Sequence, residues 1–206
     1  MGLLKTESRN EPKGTGADAE PGEHHHGRRR GLALYGAPLE RNGLDLGRQF
    51  LRRESTSVPR RVPGLNYIKF IASGEHFCLA VKTDGTLWAW GGNYEGQLGD
   101  GTKVDRYSPV QVPNLTNMTA AAGGYGHSLA LKADGTVWAW GKNFDGQVSN
   151  GTKDTRLSPV KIQHLIKVVA VAAGERHSVA LKDDGTVWGG DDYKVPTKIE
   201  SLKLRQ

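Results

Sequence analysis

Side chains able to do chemistry are few in this sequence, and most of them recur at one interval. His127 and His177 stand 50 positions apart, each followed by Ser-x-Ala-Leu-Lys. Two imidazoles at equivalent places in adjacent units could share a metal ion or supply a base. The third equivalent place holds Phe77, so the unit does not demand a titratable group there. Both histidines are expected to be structural, hydrogen-bonded to backbone. Cys78 is the single cysteine and stands where Ser128 and Ser178 stand. No intrachain disulfide is possible, and a reactive thiolate would need an activating base that the sequence does not place beside it. A small buried side chain is expected. The His24, His25, His26 run could hold a transition metal weakly, but it has no geometry to define a ligand set and reads as solvated tail. Residues 91–102 are glycine-rich yet lack the Gly-Lys-Ser/Thr ending that cradles phosphate, and they recur as residues 141–152. Recurrence argues for architecture. The Asn-x-Ser/Thr sequons at Asn114, Asn117 and Asn150, and the loose myristoylation pattern at Met1 to Thr6, lack the context that either modification needs. No catalytic residue, cofactor or metal site is expected.

The elements that must position these residues form an array. Gly174-Glu175-Arg176-His177-Ser178-Val179-Ala180-Leu181-Lys182-Asp183-Asp184-Gly185-Thr186-Val187-Trp188 is matched without gaps by the stretch from Gly124 to Trp138 and by that from Gly74 to Trp88. A fixed period of this size marks stacked units that cannot bury their apolar faces alone. Within a unit, apolar runs flank Asp84-Gly85, Asp134-Gly135 or Asp184-Gly185, the pattern of a hairpin with a two-residue turn at positive φ. A small-residue run precedes each of the last two hairpins: Met118 to Ala122 and Val168 to Ala172. Crowding near an axis would require such an inner strand. Ser108-Pro109-Val110-Gln111-Val112-Pro113 and its match from Ser158 to Gln163 suit an outer edge, where proline costs no ladder bond. Trp88 and Trp90, like Trp138 and Trp140, lie two apart and share one face, with Ala89 and Ala139 on the other. Small inside, proline outside and four strands per period describe a propeller blade, in which a bulky face fills against a small one.

The string Ala-x-Gly-x-x-His-Ser-[Leu/Val]-Ala-Leu-Lys-x-Asp-Gly-Thr-Val-Trp-Ala-Trp-Gly-x-Asn-x-x-Gly-Gln-[Leu/Val]-x-[Asp/Asn]-Gly-Thr resembles the repeat of the regulator of chromosome condensation family, from about Pro59 to about Leu202. The resemblance implies a β-propeller, seven-bladed in the best-known members, and, as an alternative activity, guanine-nucleotide exchange on a small GTPase. Its signature positions here are Gly74, Gly85, Trp88 and Trp90; Gly124, His127, Gly135, Trp138 and Trp140; and Gly174, His177, Gly185 and Trp188. Phe77 departs from it, the third copy lacks about a dozen residues, and only three units are visible where a ring would need about 350 residues at this period.

Expected is therefore an all-β chain: a partial β-propeller of about three four-stranded antiparallel blades, behind a disordered or irregular N-terminal segment. The units fall at about 67–113, 117–163 and 167–202 within a repeat region of 58–206. Residues 1–57 are low-complexity or degenerate; the runs from Gly31 to Gly36 and from Gly43 to Gly47 could be a decayed earlier blade. Of the net charge of +6, residues 1–61 carry +4 (12 basic against 8 acidic) and the repeats +2 (16 against 14). No apolar run approaches the roughly 18 residues of a membrane span, and no secretory signal is visible. Nothing beyond a cytoplasmic default places the chain. The loops at 91–107 and 141–157 carry Tyr94, Glu95, Lys103 and Arg106, matched by Phe144, Asp145, Lys153 and Arg156. Their signs alternate, so no stripe for nucleic acid emerges. The leading function is a non-enzymatic scaffold presenting these loops to a protein partner; Arg106 and Arg156 are expected to tie down their own loops. With outward faces of the first and third blades uncovered, three outcomes stay open: capping by the N-terminal segment, self-association toward a ring, or a piece of a larger propeller.

Overall fold

The computed structural model describes residues 44–45, 60–189 and 196–199. The His24 to His26 run, residues 1–6 and the run from Gly31 to Gly36 lie outside them. No helix occurs among the described residues. A two-stranded ribbon pairs β1 (Leu44–Asp45) with β2 (Arg60–Arg61). Three four-stranded antiparallel meanders follow. The first comprises β3 (Ile68–Ser73), β4 (Phe77–Lys82), β5 (Leu87–Gly91) and β6 (Arg106–Gln111). The second comprises β7 (Met118–Gly123), β8 (His127–Lys132), β9 (Val137–Gly141) and β10 (Arg156–Lys161). The third comprises β11 (Val168–Ala173), β12 (Ser178–Lys182), β13 (Val187–Gly189) and β14 (Thr197–Lys198). The first strands of successive sheets meet, β3 with β7 and β7 with β11, the arrangement of propeller blades.

The hairpin turn differs from the two-residue expectation. Lys82 N donates to Thr86 O and Gly85 N to Lys82 O, both at 2.9 Å. Thr83, Asp84 and Gly85 thus form a three-residue loop in which only the glycine is left-handed, at φ +82°. This is the turn that adds a bulge residue to a hairpin. Asp84 does not adopt a positive φ; its carboxylate Oδ1 instead accepts from Thr86 N and Oγ1 at 2.8 and 2.7 Å, and those bonds hold its pKa below the usual value. Gly85 also touches the next unit: Met118 N donates to its carbonyl at 2.9 Å, and an added Cβ would lie 2.9 Å from Asn117 Cα.

Inner crowding is localised. A Cβ on Gly123 would stand 2.5 Å from Gly74 N, whereas Phe70 and Ile71 of β3 remain over a third exposed. Pro109 and Pro159 lie on the outer strands, and Pro159 falls inside the register irregularity between Arg156 and Val160, where a missing donor costs nothing.

Each sheet has two unlike faces. Cross-strand pairing puts Ser128 opposite Trp140 and Ala130 opposite Trp138 on one face, with Leu129 opposite Ala139 and Leu131 opposite Val137 on the other. The tryptophan face of the second sheet meets Leu79, Val81, Leu87 and Ala89 of the first, with Trp140 wholly buried. The tryptophan face of the third meets Leu129, Leu131, Val137 and Ala139 of the second. The receiving face is therefore not small, as expected, but a ring of leucine and valine around one alanine. The tryptophan face of the first sheet packs on Val62, Leu65 and Ile68.

The third sheet is described over Val187–Gly189 of β13 and Thr197–Lys198 of β14. Beside it lies a cavity of about 20 Å³ lined by Val148, Leu165, Trp188 and Pro196 among others, room for about one water. Trp140→Ala should cost about 3–5 kcal/mol, and Trp88→Ala, partly exposed on the first sheet, clearly less. Urea unfolding of the two variants checks this; equal losses would contradict the packing order.

Candidate protein-binding rim

The segment between the third and fourth strands of a blade is long, irregular and full of polar atoms, so its backbone needs internal partners. Asn93, fully buried, supplies them. Its Oδ1 accepts from Leu98 N at 3.0 Å, while Nδ2 donates to Thr102 O and Val104 O at 3.0 and 3.1 Å. Asn143 repeats the pattern with Val148, Thr152 and Asp154. The buried Gln97 and Gln147 add a brace, their Oε1 accepting from Glu95 N and Asp145 N. The backbone carbonyls of these glutamines face the next sheet. Gln97 O accepts from Ser128 Oγ at 2.7 Å and Trp140 Nε1 at 2.9 Å; Gln147 O accepts from Ser178 Oγ at 2.7 Å. The loop is thus the joint between blades as well as a surface feature.

The predicted loop residues divide accordingly. Tyr94 and Phe144 are 41% and 56% exposed, standing beside Glu95 and Asp145 on a turn whose other members are buried. Arg106 turns inward: its guanidinium meets the Asp100 carboxylate at 2.6 Å and its Nε donates to Asp100 Oδ2 at 2.7 Å. Burial opposes ionisation of Asp100, but hydrogen bonds from Thr102, Arg106 and Asn93 outweigh it and hold the carboxyl below its usual range. Arg156 is less well served because Asn150 replaces the aspartate. It donates to Thr152 Oγ1 at 3.2 Å and approaches Asp154 at 3.8 Å. Lys103 and Lys153 are exposed.

Three residues beside Tyr94 escaped notice in the sequence. The short turn between first and second strands brings His76 and Tyr125 to the same rim, with Lys142 at the start of the second long loop. The His76 and Tyr94 rings lie 6.5 Å apart, and Lys142 Nζ sits 5.1 Å above the Tyr125 ring. Burial, followed by the neighbouring Tyr125 and Glu75, pushes the Tyr94 hydroxyl up to about 12, so it stays a neutral donor at physiological pH. The available signal was variation: the short turn reads Glu75-His76, Tyr125-Gly126 and Glu175-Arg176 in otherwise matching units.

His127 is not hydrogen-bonded to backbone as expected. It is wholly buried between sheets, and its Nε2 lies 3.0 Å from Ser178 Oγ of the next blade. Ser178 spends its single proton on Gln147 O, so Nε2 carries the hydrogen and donates. His177, with no sheet beyond it among the described residues, is exposed. Cys78 is half-buried on β4. Among the described residues no group of three or more His, Cys, Asp or Glu side chains could hold a metal, and no helix is long and apolar enough to cross a membrane. At the opposite end of the strands, the hairpin turns form a groove of mixed charge lined by Lys69, Asp84, Lys132 and Asp134.

The pattern described as the regulator of chromosome condensation (RCC1) repeat matches residues 84–131 and 134–181, and a second pattern of the same description matches 68–97 and 119–147. The regulator of chromosome condensation of Xenopus laevis is 43% identical over 58 residues, 28% of this chain and 14% of that protein. The guanine nucleotide exchange factor SRM1 of Saccharomyces cerevisiae is 39% identical over 61 residues, 29% of this chain and 13% of that one. The crystal structure of Prp20p from Saccharomyces cerevisiae, described with its binding properties to Gsp1p and histones, superposes with a TM-score of 0.60 at 29% identity, covering 72% of this chain and 42% of that one. The chain thus spans less than half the length of these relatives.

The buried imidazole makes stability depend on pH. Burial, then the charges of His177 and Lys142, lower the His127 pKa from 6.5 to about 4. The unfolded chain therefore takes up the proton first: stability is full above pH 6.5 and falls as the pH drops toward 4. Between pH 7 and pH 4.5 this site alone should remove about 2 kcal/mol. His127→Phe, copying Phe77, should flatten that part of the pH profile in urea titrations; an unchanged slope would show that the imidazole is not responsible.

Proposed function

We propose, from the premise that the chain belongs to the regulator of chromosome condensation repeat family, that it is a non-enzymatic propeller module whose rim binds a protein partner. The observation that carries this is the contrast within one loop. Asn93, Gln97 and Leu98 are fully buried, while Tyr94 between them is 41% exposed; the second unit repeats this with Phe144 at 56%. A large aromatic held in the open by a rigid turn loses little entropy on binding, which is why tyrosines serve as anchors at interfaces. Around these anchors stand Glu75, Glu95, Asp145 and Glu175 against Lys142 and Arg176. That balance favours a partner with a basic or apolar patch and disfavours phosphate backbones. Lys103 and Lys153 lie toward the edge of the proposed contact, with Arg106 and Arg156 supporting it from within. The units at about 67–113, 117–163 and 167–202 are proposed as the functional repeats.

The likeness to an exchange factor supports a second reading, in which the partner is a small GTPase and binding speeds nucleotide release. Release no faster than the spontaneous rate, measured with a fluorescent nucleotide, would remove it. For the main reading, the immobilised chain and its Tyr94→Ala, Phe144→Ala double variant would be compared by quantitative capture. The captured partner should fall by at least about tenfold, the effect of losing one or two anchors, with the unfolding midpoint retained. Undiminished capture would place the binding site elsewhere.

A further inference from the structure

The two long loops share one polar framework and differ at the group that faces the arginine. In the first, Asp100 Oδ1 accepts from Asn93 Nδ2, Thr102 N and Thr102 Oγ1 at 3.1, 3.0 and 2.7 Å, while Oδ2 accepts from Arg106 Nε at 2.7 Å. In the second, Asn150 Oδ1 accepts from the matching groups, Asn143 Nδ2, Thr152 N and Thr152 Oγ1, at 3.2, 3.1 and 3.0 Å. The place of the other carboxylate oxygen therefore falls to the Asn150 amide nitrogen, a donor. Arg156 is seated like Arg106 by its bond to the loop threonine, so it brings a second donor to that side, and its Nε is buried without a hydrogen-bond partner. The loop is shaped for a carboxylate and holds an amide.

Asn150 is followed by Gly151. A glycine amide is the least hindered nucleophile that a backbone can offer to the preceding side chain, since no Cβ stands in the way. Gly101 N is engaged by Leu157 O of the next blade at 3.0 Å, and no such bond holds Gly151 N among the described residues. A Cβ on Gly151 would meet nothing within 4 Å, so the approach is open.

We propose that Asn150 is a site of deamidation, and that its aspartyl product completes with Arg156 the ion pair that Asp100 makes with Arg106. Gly151 N gives its proton to water and bonds to Asn150 Cγ, and the charge developing on Oδ1 is met by the three donors already aimed at it. The Cγ–Nδ2 bond then breaks, and the leaving nitrogen takes a proton from water and departs as ammonia. Water adds to the resulting cyclic imide at Cγ, the carbonyl that those donors polarise. The bond between Gly151 N and Cγ breaks, the nitrogen regains its proton, and a side-chain carboxylate remains. In sum, amide and water become carboxylate and ammonium. Addition at the main-chain carbonyl would instead yield isoaspartate and put an extra carbon into the backbone of the loop.

The full chain, held at mildly alkaline pH, would be digested at intervals and residue 150 read by mass spectrometry with fragmentation that separates aspartate from isoaspartate. Aspartate should accumulate as the main product in the folded chain, and its share should fall in concentrated urea, where the donors no longer steer the opening. Asn150→Asp should unfold at a higher urea midpoint than the fresh chain, and the same change in an Arg156→Gln background should bring no gain. An amide that stays intact, isoaspartate as the main product of the folded chain, a product ratio indifferent to urea, or a gain that survives Arg156→Gln would each overturn the proposal.

Discussion

The carbonyl oxygen of Gln97 receives two hydrogen bonds from the neighbouring sheet, one from the Ser128 hydroxyl and one from the Trp140 indole, and both donors are buried. A carbonyl in that position must be aimed to within a few tenths of an ångström, since a buried donor left unpaired costs about 1–3 kcal/mol. Aiming it requires the whole loop to hold one shape. Asn93 does this by bonding across the loop at four places, and Gly99 permits it by its positive φ of 72° and by leaving room for the indole, which a Cβ would approach to 2.6 Å. Loop conformation and blade stacking are therefore one constraint.

That constraint explains why the loops can serve recognition. A surface loop ordinarily pays conformational entropy when it binds. Here the ordering is already secured by the junction beneath it, so the side chains that point outward are free to differ between units: Tyr94 becomes Phe144 and Glu95 becomes Asp145, while Asn, Gln and Gly persist beneath them. The same division appears at the histidine position. Phe77 and His127 both fill the space between sheets, but only the imidazole reaches the serine of the next blade, and it brings a protonation cost at low pH with it.

The third sheet shows what happens when the joint is left out. Its sequence lacks the long loop and the second tryptophan, and the face that would receive a further blade stands partly exposed. Apolar exposure of this extent in register with two buried precedents is a property of the array and not of any single residue.

Sequence alone determined the parts that depend on local chemistry and period. Asp-Gly between apolar runs meant hairpins, tryptophans two apart meant one bulky face, and proline in the last strand meant an outer edge. All of these are set by backbone sterics and by the alternation of side chains along a strand. Tertiary structure alone decided the rest. The turn proved to have three residues because Lys82 pairs with Thr86, and a bulge recurs near the start of each inner strand, between Ile68 and Phe70 in the first. His127 found a serine 51 positions away, and His76, Tyr125 and Lys142 joined Tyr94 on one rim. A period reports that units are alike; it carries no information about the angle and offset at which one sheet is laid on the next, and those choose which distant atoms come within bonding distance.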